Sequence, residues 1–119
     1  MNQRPFRQMT EKEKQLVERL LEPDFPGRDE LVQQLHAAEV RGIDEDGSVE
    51  FRVTSDVPAC NVKYRVPTEG EYEDLDGVKV HVLLHVVGRK AKELELYKED
   101  NSPVRAWPNP ALVWVFAPK

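Results

Sequence analysis

The first apolar stripe of the chain has helical spacing. Thr10 and Glu13 stand three residues apart, as in a capping box, in which the hydroxyl and the carboxylate each accept a backbone N–H. Pro23 prevents continuation, because the residue before a proline avoids helical backbone angles. We therefore predict a first helix over residues 11–22. Its apolar stripe consists of Leu16, Val17, Leu20 and Leu21.

A second stripe follows the turn at Pro26-Gly27 and predicts a second short helix. We expect the two helices to lie side by side as a helical hairpin. Each apolar face then needs a partner, which a sheet would supply. The second stripe consists of Leu31, Val32, Leu35 and Ala38.

Apolar and polar residues alternate over much of the remaining chain, which is typical of strands with one buried face. The most apolar of these segments is residues 78–87, which we expect near the centre of the sheet. Pro67 ends an earlier strand, and the segment after it is so acidic that we predict an exposed, mobile loop over residues 69–76. The predicted strands cover residues 38–43, 49–54, 62–66, 78–87 and 93–97.

The first two strands can pair in two registers. A four-residue loop over residues 44–47 places Arg41 opposite Glu50 and Glu39 opposite Arg52, so that charges of opposite sign face each other. A two-residue type I′ turn at Asp46-Gly47 would instead place Arg41 opposite Arg52. We prefer the four-residue loop.

The C-terminal segment from Leu112 to Phe116 is strongly apolar. It follows a stiff stretch in which Pro108 and Pro110 fix the backbone. Because such a segment is unfavourable in water, we predict a sixth strand or a strap packed on the core, with Trp114 buried. A homodimer formed through Leu112-Phe116 is an alternative use of the same residues.

These patterns predict an α+β fold: an N-terminal helical hairpin packed on a mostly antiparallel sheet of five to six strands. The length of 119 residues suits a single domain over residues 1–119, with residues 1–9 as a flexible N-terminal arm. Neither a signal-peptide core nor a membrane-spanning run is present in this sequence.

Charge restricts the partners that we expect. The chain carries 17 Lys and Arg against 22 Asp and Glu, a net charge of −5. This balance argues against nucleic acid and anionic membranes as partners, although Arg89, Lys90 and Lys92 form a small basic cluster.

A single cysteine, Cys60, allows no internal disulfide and fits a reducing cytoplasm, where we expect it to be a small buried residue.

His81 and His85 are the first candidates for chemistry. On one strand they lie about 13 Å apart, four rises of roughly 3.3 Å, so they cannot bind one metal ion together. A metal site would need His36 or carboxylates brought in by the fold. A three-residue loop after residue 87 would place His85 opposite Glu93, which predicts a structural ion pair.

No sequence motif indicates catalysis. The glycines form no phosphate-binding pattern and the serines no nucleophile motif, so we predict no catalytic, cofactor-binding or metal-binding residue. Tryptophan is enriched at binding hot spots, and Trp107, between polar turns, is the more exposed candidate. We therefore take Trp107, His81, His85 and Glu93 as the candidate surface.

The ends of the chain resemble a family of small uncharacterised bacterial domains. The similarity begins at Thr10 with the pattern Thr-x-x-Glu-Lys and resumes at the run Glu-Leu-Glu-Leu-Tyr from Glu93 to Tyr97. It continues through Asp100 and Pro103 to the pair Pro108-x-Pro110. The resemblance implies a compact domain and transfers no functional residue, since that family has no established activity.

We thus expect a noncatalytic protein-interaction module rather than an enzyme. The alternative is a small-ligand binder or an undescribed enzyme with a pocket between the helices and the sheet. A filled core with an exposed apolar patch would favour the first, and a sizeable pocket with converging polar groups the second.

Overall fold

The computed structural model describes residues 4–119 of the chain, which form two helices and one antiparallel sheet. The strands lie in the order β1-β2-β3-β6-β5-β4-β7. No helix within residues 4–119 is both long and apolar enough to cross a membrane. The elements are β1 (Arg7–Gln8), α1 (Glu11–Leu20), α2 (Arg28–His36), β2 (Glu39–Gly42), β3 (Val49–Arg52), β4 (Thr68–Glu73), β5 (Lys79–Val87), β6 (Lys90–Lys98) and β7 (Trp114–Phe116).

Helix α1 begins at the predicted capping box. The Glu13 N–H donates to Thr10 Oγ1 at 3.2 Å, and the Thr10 N–H donates to Glu13 Oε1 at 2.8 Å. The helix ends at Leu20, slightly before the predicted end, and its stripe is buried. The sequence therefore predicts this helix correctly, because its signals are local.

Helix α2 begins after Gly27, whose φ of +87° is one that glycine adopts readily. Leu31 and Leu35 are buried, whereas Val32 remains 39% exposed. Leu31, Leu35 and the apolar stripe of α1 pack in one core against one face of the sheet.

The β2–β3 hairpin has the register that we preferred. Arg41 pairs with Glu50, and Glu39 pairs with Arg52. The Ile43 N–H donates to the Ser48 carbonyl at 2.9 Å, which closes the four-residue loop. The predicted charge pairs form, with Arg41 Nε 2.7 Å from Glu50 Oε1.

The segment after β3 contradicts the sequence analysis. Residues 62–66 form bends rather than a strand, and the segment that we predicted as an acidic loop contains β4. Thr68, Gly70 and Tyr72 face the core, while the glutamates between them point to the other face. The acidic composition obscured a regular alternation with period two.

Strands β5 and β6 pair in the predicted register, with His85 opposite Glu93. The connecting turn has two residues, Gly88 and Arg89, with φ of 61° and 65°, instead of the predicted three. A register shift between His85 and Val86 restores the pairing. The bulge therefore absorbs the residue that we had assigned to the turn.

Both ends of the chain add strands to the sheet, which has seven rather than five to six. Strand β7 pairs with β4, and Val113 beside it is buried. Strand β1 pairs with β2 inside the segment 1–9 that we predicted as a flexible arm; residues 1–3 of that arm lie outside the described residues.

Candidate functional site

One face of the sheet is not covered by the helices. Alternate residues of β5 point into the core, and those between them, His81, Leu83 and His85, are partly accessible on the opposite face. We call this second face of β4, β5, β6 and β7 the open face. Its side chains include Glu69, Glu71, Glu73, Lys79, His81, Leu83, His85, Val87, Lys90, Glu93, Glu95, Tyr97, Trp114 and Phe116.

Three of the four candidate residues lie on the open face, but only His85 and Glu93 are neighbours there. His81 and His85 lie on β5, and Glu93 lies opposite His85 on β6. His81 stacks on Tyr97 with ring centroids 4.9 Å apart, and its Nε2 lies 2.8 Å from Glu99 Oε1. The histidines are thus held by aromatic and carboxylate neighbours.

The bonding partner of His85 differs from the prediction. His85 Nε2 lies 2.8 Å from Glu95 Oε1, so this carboxylate replaces Glu93 as the nearest hydrogen-bonding acceptor. Arg65 Nε donates to His85 Nδ1 at 3.3 Å. Because Nδ1 accepts a hydrogen bond, Nε2 carries the ring proton and donates it to Glu95.

The fold also brings two carboxylates to His85, which is the condition that we set for a metal site. One ligand atom each of His85, Glu93 and Glu95 lie within 4.8 Å of one another. A metal ion on Nε2 would force the ring proton onto Nδ1, which already accepts a hydrogen bond from Arg65. Metal-bound histidines instead usually donate this second N–H to an acceptor. The arrangement is that of a hydrogen-bonded cluster.

Trp107 lies apart from the other three candidates. It is half-buried, packs against the core, and its Nε1 donates to the Lys12 carbonyl at 3.3 Å. A Cβ on Gly47 would lie 2.8 Å from the indole ring, so the ring covers this turn closely. Trp107 contributes to packing at the edge of the core.

Trp114 is the more exposed tryptophan, which corrects our expectation that it is buried. It is 59% exposed, and its ring centroid lies 4.8 Å from that of Phe116. The signal was present in the sequence, since Val113 and Val115 alternate with the larger aromatic residues. The apolar run thus has one face packed on the core and one aromatic face in solvent.

The open face has an excess of negative charge. Glu71 lies 3.6 Å from Lys79 Nζ and 3.9 Å from His81 Nδ1. By contrast, Glu69, Glu73 and Glu93 form no ion pair with any residue in the range 4–119. Carboxylates and exposed aromatic rings therefore share one surface.

Comparison with known proteins places the chain in a family. Residues 6–108 match the family described as Domain of unknown function (DUF6984). The chain belongs to the DUF6984 family. No curated protein and no solved structure matches it. The resemblance to a family without an established activity is thereby confirmed, and DUF6984 membership transfers no catalytic residue.

The core of this DUF6984 chain occupies the region where the alternative hypothesis placed a pocket. Buried side chains of both helices and of the sheet form a single cluster there. Cys60 belongs to this cluster, as predicted, and burial raises the pKa of its thiol. An open groove of about 380 Å³ lies instead between α1 and α2, away from His81 and His85.

Proposed function

We propose that the chain is a noncatalytic protein-interaction module that binds a partner with a basic surface through the open face. The observation that supports this most is the combination of Trp114 and Phe116, 59% and 36% exposed, with carboxylates that have no cationic partner among residues 4–119. Aromatic residues supply the anchors of protein interfaces, and complementary charge steers the partner and fixes its orientation.

The sign of the charge selects the class of partner. Glu69, Glu73 and Glu93 would repel nucleic acid and anionic lipid but attract lysine and arginine side chains. The net charge of −5 acts in the same direction. We place this interaction in the cytoplasm, where Cys60 would remain reduced.

A charge-matched pair of variants tests the proposal. The open-face variant is Glu69→Gln/Glu93→Gln, and the control, with the same net charge, is Glu18→Gln/Asp24→Asn on exposed positions outside the sheet. The probe is a synthetic nine-residue peptide of mixed lysine and arginine, measured by calorimetry at several salt concentrations. We expect at least a tenfold loss of affinity in the open-face variant, and a loss of less than threefold in the control.

Three outcomes would overturn the proposal. The first is no binding of the peptide to the wild-type chain. The second is equal weakening in both variants, since long-range attraction by net charge would explain it. The third comes from sedimentation equilibrium of the chain alone. A dimer that dissociates on Trp114→Ala would mean that a second copy covers the open face, as in the homodimer that we considered.

A further inference from the structure

A groove on the open face has an apolar wall and a carboxylate wall. Trp114 and Leu112, 59% and 74% exposed, line one side, while Glu71 and Glu73 line the other. The groove is open to solvent and has a volume of about 490 Å³. We call it the Trp114 groove; Tyr72, Asp74 and Lys79 also line it.

Backbone pairing fixes the relation between the two walls. Glu71 lies directly opposite Trp114 in the β4–β7 ladder, and Glu69 lies opposite Phe116. Each exposed ring therefore has a carboxylate at the distance of a cross-strand pair. The ring of Phe116 lies beside that of Trp114, with centroids 4.8 Å apart, but does not line the groove.

The charges of the groove are only partly neutralised from within. Lys79 lies 3.6 Å from Glu71 and is half-exposed, whereas Glu73 has no ion-pair partner among residues 4–119. One carboxylate of the groove is therefore available to an external cation.

We propose that the Trp114 groove binds an arginine side chain of the basic partner, an inference that rests on the proposed function. Leu112 and the indole would cover the apolar part of the side chain, and the guanidinium would stack on the Trp114 ring. Two of its N–H groups would then donate to the Glu73 carboxylate. Lysine lacks both the plane needed for stacking and the fork that binds a carboxylate with two hydrogen bonds.

Two peptides of equal length and charge test this inference. One contains only arginine as its basic residue, the other only lysine, and the wild-type chain should bind the arginine peptide about fivefold or more tightly. Trp114→Leu keeps an apolar side chain and the net charge but removes the ring. We expect it to abolish the preference, because affinity for the arginine peptide should fall to the level of that for the lysine peptide. Phe116→Leu, outside the groove, is the matched control and should keep the preference.

The outcomes separate this inference from the proposed function. If wild type binds both peptides equally, and Glu69→Gln/Glu93→Gln still weakens binding, arginine recognition is wrong while the basic partner remains. An unchanged preference in Trp114→Leu also overturns the inference. If neither peptide binds, both proposals fail.

Discussion

The ammonium group of Lys98 lies 3.0 Å from the carboxylate of Asp74, and both side chains are fully buried. Asp74 also accepts the backbone N–H groups of Arg105 and Ala106, at 2.7 and 3.0 Å. Lys98 extends the cluster to Asp76, 2.6 Å away. The ends of β4 and β6 are thus joined to each other and to residues 105 and 106, in the segment that leads to β7.

Removing Lys98 tests this role. Loss of one partner of a buried ion pair leaves the other charge buried without compensation, which is strongly destabilising. We expect Lys98→Met to lower the thermal unfolding midpoint by about 10 °C or more, as followed by circular dichroism. The control is Lys79→Met, because Lys79 is half-exposed and such pairs contribute only about 0–1 kcal/mol. Equal midpoints for the two variants would contradict a structural role for the cluster.

The pKa of Asp74 predicts how the stability of the fold changes in acid. Burial alone would raise this pKa, but the Arg105 N–H, the Lys98 ammonium group and the Leu75 N–H together lower it from 3.8 to about 2. A carboxyl group whose pKa is lower in the folded chain than in the unfolded chain stabilises the fold at pH values above its unfolded pKa. That contribution is lost as the pH falls from about 4 towards about 2.

Asp74→Asn should therefore be less stable than wild type at pH 6, with the difference in unfolding free energy shrinking towards pH 2. Urea unfolding at several pH values measures this difference directly. If the difference stays constant between pH 6 and pH 2, the pKa of Asp74 is not lower in the folded chain than in the unfolded chain, and the prediction is wrong.

The capping box predicts a local contribution to stability. Thr10→Ala removes the acceptor of the Glu13 N–H and should cost about 1 kcal/mol in urea unfolding. Thr54→Ala is the control, because Thr54 is exposed and lies outside helix and strand. We expect that variant to change stability by less than about 0.5 kcal/mol. If Thr10→Ala is as stable as this control, the Glu13 carboxylate alone is enough to cap the start of α1.

Local signals explain which parts of the fold could be predicted. Thr10 and Glu13 lie three residues apart, and the facing charges of Arg41 and Glu50 select one of two short loops. Both inferences depend on neighbours in sequence or across one turn, and both are confirmed. The register of His85 with Glu93 is likewise confirmed, although its turn is shorter and includes a bulge.

The sequence analysis did not predict strand β4, because the acidic composition of the segment concealed its alternation of core-facing and outward-facing residues. Glycine and glutamate are rare in strands, yet Gly70 faces the core where β7 approaches closely, and the glutamates point to the open face. The Asp74–Lys98 pair joins residues far apart in sequence, so no local pattern indicates it. The Trp114 groove depends on the same pairing of β4 with β7.

A substitution at Gly70 tests the pairing of β4 with β7, on which the Trp114 groove depends. A Cβ at Gly70 would lie 2.8 Å from Val113 Cγ1 and 3.0 Å from the Trp114 carbonyl oxygen. Gly70→Ala should therefore force β7 away from β4, at a cost of about 1–3 kcal/mol in urea unfolding.

The matched control is Gly42→Ala in β2. There a Cβ would meet the flexible end of the Arg4 side chain at 2.7 Å, which can move aside at little cost. We expect this variant to remain within about 0.5 kcal/mol of wild type, because the backbone need not shift. Gly70→Ala should also lose affinity for the arginine peptide. If it retains both stability and that affinity, the close approach of β7 to β4 is not what positions Trp114.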